Sequence, residues 1–357
     1  MIPKITPKVI EHILSYCGDY DLIFKEKKRV LKKIPGLRSE MIDSILSPKM
    51  QEKAEKELER MEKNEIECVA FTDGRYPFKL LQIPDFPVVL YYKGKLPELE
   101  RKSIAIIGTR RATNYGVRWV ENFTKELAQS YSDAEILSGL AYGIDYNAHK
   151  QSLENNIPTY AVLGHGLNMI YPSAHHNLAQ QILDSGGGLI SEFTTADPVR
   201  PMNFVQRNRI VAGLSDAIIV VESKQKGGAM HTAKMAFSYS REVFALPGPY
   251  SSVTSQGCHL LIKRQLATLI DSVEDLTKAM QWKANRSLIV EQPQLFEIDL
   301  DDDAKKVMNI LKENSPISID ELSRSLAISV AEISQQLTKL EFMGCVEVLP
   351  GKYYRSI

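Results

Sequence analysis

The stretch Ile104-Ala105-Ile106-Ile107-Gly108-Thr109-Arg110-Arg111 is an unbroken apolar run that ends abruptly in glycine and charge. Apolar, mostly β-branched residues without polar alternation predict a strand buried on both faces, the kind found in parallel sheets. Gly108 permits a tight turn, and a helical pattern resumes near Tyr115-Gly116, so the unit reads strand, turn, helix. Working downstream, the same alternation recurs. Ile136-Leu137 precedes a helical pattern from Ile144 to Leu153, and Thr159 to Leu163 precedes one from His175 to Leu183. Leu189-Ile190 precedes one from Val205 to Leu214, Ala217 to Val221 one from Thr232 to Tyr239, and Val243 to Leu246 one from His259 to Gln265. Upstream, Val69-Ala70-Phe71 and Val88 to Tyr92 add short strand-like runs. The fold class is therefore α/β, a parallel sheet covered by helices on both faces, over 65–282.

Different segments flank this domain. Residues 1–64 place Val9, Ile13, Leu14, Leu22, Ile23, Val30 and Leu31 at helical spacing, broken by Pro35-Gly36-Leu37, and predict a small helical module. Its first 60 residues hold 13 Lys and Arg against 10 Asp and Glu, a mildly basic balance. Gln51 to Glu65 alternates Glu and Lys at helical offsets and reads as a solvated connecting helix. Residues 283–303 lose periodicity, contain Gln292-Pro293-Gln294 and end in acids, which predicts a linker. Residues 304–357 read as three helices and a strand pair turned at Pro350-Gly351, the pattern of a winged helix. Over 297–357 there are 7 Lys and Arg against 11 Asp and Glu. The segment in the recognition-helix position, Ala331 to Met343, offers only Lys339 against Glu332 and Glu341. Phosphates would be repelled there, which favours a protein-contact role for this domain.

Composition narrows the classes. A chain of 357 residues with 44% hydrophobic and 25% charged content is an ordinary globular protein of two or three domains. Its 44 Lys and Arg balance 44 Asp and Glu, so any nucleic-acid surface must be local. Cys17, Cys68, Cys258 and Cys345 are far apart and form no C-x-x-C pair, so they read as reduced thiols. No apolar run approaches the roughly 18 residues of a membrane span, and Met1 to Lys8 is no signal peptide. The expectation is a cytoplasmic protein with no membrane contact.

The common enzyme templates fail. Gly164-His165-Gly166 begins a dinucleotide fingerprint, but Met169 stands where the third glycine belongs. Neither a P-loop nor a G-x-S-x-G elbow occurs. His175 and His176 point about 100° apart on a helix and read as a polar helix start rather than a chelating pair.

What remains is a set of glycine-rich and basic turns at predicted strand ends, where open α/β sheets bind ligands. Gly108-Thr109-Arg110-Arg111 offers backbone N–H groups and two guanidinium forks to an anion. Ser138 to Asp145 brings Gly139 and Gly143, with Asp145 and His149 on one helical face. That pair suits acid–base chemistry or, preferably, an Asp cap over a packed His. Phe204-Val205-Gln206-Arg207-Asn208-Arg209 splays its arginines, one toward a ligand and one into the frame, and Lys224 to Ala229 again joins cations and glycines to a helix start. These turns fit a nucleotide or a nucleic-acid strand, the strand needing only an open groove with aromatic faces such as Tyr115, Tyr142 and Phe204.

Five motifs together, Ala105 to Gly116, Ser138 to Asp145, Tyr171-Pro172, Phe204 to Leu214 and Phe244 to Gly248, resemble the DNA-processing protein A family (DprA, also called Smf) over about 66–276. The resemblance implies an extended Rossmann-like domain between an N-terminal module of sterile-alpha-motif (SAM-like) or helix-hairpin-helix-like type and a C-terminal winged helix. It implies a homodimer that binds and shields single-stranded DNA and helps load the recombinase RecA during natural transformation, with no catalytic residue, metal or cofactor. Carried over by motif, the strand is held by Gly108, Thr109, Arg110, Arg111, Phe204, Arg207 and Arg209. Tyr115, Gly139 and Gly143 complete the expected surface. Two positions depart from the family pattern. Tyr142 stands where many members carry a basic residue and is expected to stack on a base, and Pro201 replaces a lysine that Arg200 beside it is expected to substitute.

The rival is a nucleoside monophosphate phosphoribohydrolase of the "lysine decarboxylase-like" group. Its motif would fall at Gly227 to Lys234, but no acid stands between Lys224 and Arg241 to act as general base.

Overall fold

A computed structural model describes residues 5–18, 22–283, 302–313, 317–342, 346–349 and 353–356. The chain divides into two compact units, Met1–Leu288 and Ile289–Ile357. The helical module and the sheet domain both lie in the first. The linker reading of 283–303 falls, over 284–301, outside the described residues.

The module comprises α1 (Pro7–Cys17), a 3-10 turn at Leu22–Phe24, α2 (Lys28–Leu31), α3 (Ser39–Ile45) and α4 (Pro48–Lys63). Its own core gathers Val9, Ile13, Ile23 and Leu31, as helical spacing predicts, with Ile34, Leu37, Met41, Ile42 and Ile45 added, while Leu22 is exposed and Leu14 and Val30 stay outside it. The solvated connecting helix is corrected in part. α4 buries Glu57 and Met61, with Met61 in a hydrophobic cluster that includes Ala161, Leu178 and Leu189 of the sheet domain.

Among the described residues, the strands of the first unit are β1 (Glu67–Ala70), β2 (Val89–Gly94), β3 (Lys102–Gly108), β4 (Ala134–Ser138), β5 (Thr159–Leu163), β6 (Gly188–Ser191), β7 (Ala217–Val221), β8 (Glu242–Ala245) and β9 (Thr268–Leu269). They form one sheet in the order β1-β2-β6-β5-β4-β3-β7-β8-β9. From β6 to β9 in that order every pairing is parallel. The expectation of a parallel sheet is corrected at one edge, where β1 pairs β2 and β2 pairs β6 antiparallel. The β1–β2 connection folds only α5 (Phe78–Leu81), a single helical turn. β9 was missed because its two residues are exposed and carry no apolar run.

Helices α6 (Asn114–Ser130), α7 (Ile144–Glu154), α8 (His176–Asp184), α9 (Pro201–Leu214), α10 (Gly228–Ser238), α11 (Gln256–Lys263) and α12 (Val273–Met280) cover the sheet. Successive β3 side chains alternate faces. Ile104 and Ile106 pack with residues of α6, α7 and α12, whereas Ala105 and Ile107 pack with those of α9, α10 and α11.

At the amino ends of the strands sits a buried polar knot. Lys79 Nζ donates to the Arg101 carbonyl, to Ser103 Oγ and to Asp216 Oδ2 at 2.7–2.8 Å, and Ser103 Oγ donates to Glu135 Oε1 at 2.5 Å. Burial pushes the Glu135 carboxyl up to about 7, against the pull of the Ser103 hydroxyl, Lys79 and Arg101. The folded state therefore keeps a proton that the unfolded chain releases near its ordinary 4.5. Stability from this group is full below that value and is lost as pH rises toward 7. Glu135→Gln retains the acceptor without the charge. It is expected to melt like the parent at about pH 5 and higher than the parent at about pH 8, by a difference on the order of 3 kcal/mol. An equal offset at both pH values would show that Glu135 does not titrate.

The second unit contains α13 (Asp302–Glu313), β10 (Ile317–Ser318), α14 (Ile319–Leu326), α15 (Val330–Phe342), β11 (Val346–Leu349) and β12 (Tyr353–Ser356), so the linker gives way to helix at Asp302. Val307, Leu311, Leu322, Ile333, Leu337 and Leu340 form its core. This is a winged helix in which β10 joins the expected strand pair, giving the order β10-β12-β11. The turn expected at Pro350-Gly351 lies outside the described residues.

Candidate nucleic-acid interface

The connections turn away from β3 in both directions. β4, β5 and β6 lie on one side and β7 and β8 on the other, so the switch of strand order falls between β3 and β7. A cleft of about 150 Å³ opens there at the carboxyl ends, lined by Gly108 and Arg110, Ala141 and Asp145, Phe204 and Arg207, and Gly228 and Ala229. Hollows of about 280, 370 and 580 Å³ occur elsewhere on the same unit, away from the switch point.

The first turn is clamped by an acid that the sequence reading did not single out. Glu222 follows β7 with φ +57° and is 3% exposed. Its carbonyl accepts from Thr109 N at 2.7 Å, and its carboxylate accepts from Thr113 N at 2.8 Å and Thr113 Oγ1 at 2.5 Å. The only signal in the sequence was an acid directly after the apolar run Ala217 to Val221. Held this way, Arg110 and Arg111 are exposed, and among the described residues neither forms an ion pair with an acid.

The second turn is locked onto the first, because Ile144 N donates to the Thr109 carbonyl at 3.1 Å. Gly139 lies over Arg207, whose guanidinium would be 2.3 Å from a Cβ at that position. Arg207 is 4% exposed, donates to the Val162 carbonyl and is pushed down to about 10 by burial, with nearby Asp145 opposing the shift, so it remains a cation at neutral pH. Burial pushes the Asp145 carboxyl up, while Arg207 and the N–H groups of Ala141 and Gly139 hold it down. The expected Asp cap is therefore corrected. No side chain caps α7, and Asp145 instead anchors the turn that precedes it.

His149 is packed, as preferred. Its Nδ1 lies 2.7 Å from Thr159 Oγ1, whose own proton goes to the Ile136 carbonyl, so Nδ1 carries the hydrogen. Burial first, then Arg207 and His175, push His149 down to about 3. A neutral, fully buried imidazole is a poor candidate for acid–base work at neutral pH. His175 stands at the start of α8, as expected, but is turned inward. It closes a short 3-10 turn, is 3% exposed and donates from Nδ1 to the Leu140 carbonyl, so it supports the second turn from below.

The arginines of α9 divide as the splay predicted, although neither is exposed. Arg209 turns into the frame, paired with Glu192 and with Asp85 at 3.9 Å, and does not line the cleft. The direct ligand contact expected of it is thereby corrected. Arg207 reaches the cleft floor as a buried cation. Arg200 is exposed at the start of α9. Of the expected aromatic faces only Phe204 lines the cleft, its ring 5.6 Å from that of Tyr171; Tyr142 follows Ala141 of the lining and stands edge-on to His175 at 4.8 Å with half its surface open. Tyr115 is fixed by its hydroxyl, which donates to the Pro247 carbonyl at 2.6 Å. Gly227 caps α10 without a side-chain hydrogen bond, leaving first-turn amides beside the cleft and exposed Lys224 and Lys226 just before them. The site is thus a cationic floor, a pair of exposed guanidinium groups, a helix N-terminus and an aromatic rim.

Comparison with known proteins gives the following. The family model for DNA recombination-mediator protein A matches residues 67–281, and that for the DprA winged helix domain matches 291–352. Protein Smf of Escherichia coli (strain K12) is 38% identical over 284 residues, which cover 78% of this chain and 75% of that protein. DNA processing protein DprA of Streptococcus pneumoniae is 38% identical over 204 residues, 57% of this chain and 71% of that protein. The X-ray structure of DNA processing protein A from S. pneumoniae superposes with TM-score 0.63 at 31% identity, covering 77% of this chain and 93% of that one. DNA processing protein A from Helicobacter pylori, solved in a study of its single-stranded DNA binding mode, superposes with TM-score 0.54 at 28% identity over 61% of this chain and 97% of that one.

Proposed function

This chain belongs to the DNA recombination-mediator protein A family, and we propose that its strand-end cleft holds single-stranded DNA. The observation that carries the reading is a cleft that brings exposed Arg110 together with the Phe204 ring, with exposed Arg111 and Tyr142 next in sequence to its lining residues and Tyr171 packed on Phe204. A duplex hides its base faces, whereas a single strand offers phosphates and bases together, matching guanidinium forks beside aromatic rings. The H. pylori relative, studied for its single-stranded DNA binding mode, supports the same assignment. In this reading Arg110, Arg111 and Arg200 meet phosphates, Tyr142 and Phe204 stack on bases, and Gly108, Thr109, Gly139 and Gly143 let the strand approach the backbone. Arg207 contributes charge from below. Family membership further supports a homodimer that shields the strand and loads RecA in the cytoplasm during transformation. Nothing favours the phosphoribohydrolase. Its motif lacks an acid, and Glu222, the nearest carboxylate upstream, is committed to the first turn.

Fluorescence anisotropy of a labelled oligonucleotide tests the cleft. About four phosphate contacts give a log–log salt slope of roughly −3 for a single strand. Arg110→Ala removes an exposed side chain that makes no ion pair with an acid, so it is expected to fold normally, bind about tenfold more weakly and flatten the slope by about 0.7. Unchanged affinity and slope would refute the assignment, and turnover of a nucleoside monophosphate in the same samples would revive the enzyme reading.

A further inference from the structure

Away from the cleft, α4 carries a charge pattern that the fold puts to use. Lys49, Lys53, Lys56, Arg60 and Lys63 recur at intervals of four, three, four and three residues, which places them in one stripe along the helix. The stripe is about 21 Å long. Glu52, Glu55, Glu59 and Glu62 run in a parallel stripe one residue earlier, about 100° round the helix. All five cations are exposed.

The rotation of α4 is fixed by a long-range clip. Glu57, 3% exposed, accepts from Thr195 N at 2.5 Å through Oε1 and from Thr195 Oγ1 at 2.7 Å through Oε2. Its helical neighbours therefore flank the loop that follows β6. Lys53, Lys56 and Arg60 line a trough of about 370 Å³ with Met50 and with Thr194, Ala196 and Asp197 of that loop. Two of the cations also touch acids of their own helix, Lys56 to Glu52 at 2.5 Å and Arg60 to Glu57 at 3.7 Å. Asp197, the acid on the loop side, is occupied by Thr194 N and Oγ1 at 2.8 and 2.9 Å. From Asp197 the chain needs only four residues to reach Pro201 on the cleft wall, at most about 14 Å. Exposed Arg200 lies on that path.

We propose that the basic stripe of α4 and its trough form a second contact for single-stranded DNA, receiving the phosphate backbone of a strand that leaves the cleft past Arg200. The inference rests on the cleft reading. Its chemistry is simpler, because the trough lining holds three cations, one acid already bonded to Thr194 and no aromatic ring, so it takes phosphates and ignores sequence. The helical module thereby lengthens the binding site beyond the sheet domain.

The test compares two oligothymidylates, of about six and about 24 nucleotides, by anisotropy across a salt series. Site sizes for such surfaces run to roughly 16 nucleotides, so only the longer strand spans both contacts. Lys49→Gln, Lys53→Gln and Lys56→Gln are combined, leaving Glu57 and Arg60 intact. The expected result is about tenfold weaker binding of the long strand with its slope flattened by about 2, three contacts at roughly 0.7 each, and unchanged binding of the short one. The Lys-to-Arg triple variant is expected to restore the long strand. Unchanged long-strand affinity and slope in the Gln variant would overturn the proposal while leaving the cleft standing. Equal weakening of both lengths would also overturn it, reducing the stripe to a general field. If the parent protein binds neither length, the cleft reading itself fails.

Discussion

Arg207→Ala is expected to cost the first unit on the order of 3 kcal/mol of unfolding free energy and to abolish strand binding with it. The guanidinium is almost wholly buried, donates to the Val162 carbonyl of β5 and faces Asp145, itself 8% exposed. Truncation leaves the buried Val162 carbonyl without its donor and a void under Gly139, and removes the positive charge that offsets the buried Asp145 carboxyl. Denaturant unfolding followed by intrinsic fluorescence measures the cost. A double-mutant cycle assigns the cause, because with Asp145→Asn in the background the same truncation should cost less by a kcal/mol or more. Additive costs would show that charge pairing is not what makes the floor expensive to break. The contrast with Arg110→Ala is diagnostic. The exposed arginine acts on affinity and salt slope in a folded protein, whereas the buried one acts through the frame.

The second large effect belongs to Gly143→Ala. Gly143 sits at φ +77° and ψ −119°, where side chains are strained, and a Cβ there would stand 2.2 Å from the Thr109 carbonyl oxygen and 2.7 Å from Arg110 C. Relief requires parting the two turns that the Ile144 to Thr109 hydrogen bond holds together. A destabilisation of about 3 kcal/mol and a roughly hundredfold loss of single-strand affinity are expected. Gly228→Ala is the control. It lines the same cleft but has nothing within 4 Å of the added Cβ, so its melting temperature should match the parent's. A Gly143→Ala protein as stable as that control would mean that the turns are not coupled through this backbone contact.

What depends on neighbours along the chain was legible before any fold was known. Continuous apolar runs set the parallel strands, helical spacing set the winged-helix core and part of the N-terminal one, and the glycine after Ile107 placed Arg110 and Arg111 at a strand end. Even the splay of Arg207 and Arg209 was legible, since residues two apart on a helix point about 200° apart. Which arginine faced the cleft was not, because that depends on the rotation of α9 against a sheet assembled from distant segments. The same limit hid Glu222, whose carboxylate meets Thr113 across 109 positions. It also hid Glu57, which turns a solvated helix into a docked one through Thr195, 138 positions away. The antiparallel edge, the burial of Arg207 near Asp145 and the trough beside α4 belong to this class. Local pattern records where a side chain can point, and only packing between remote segments decides what it meets.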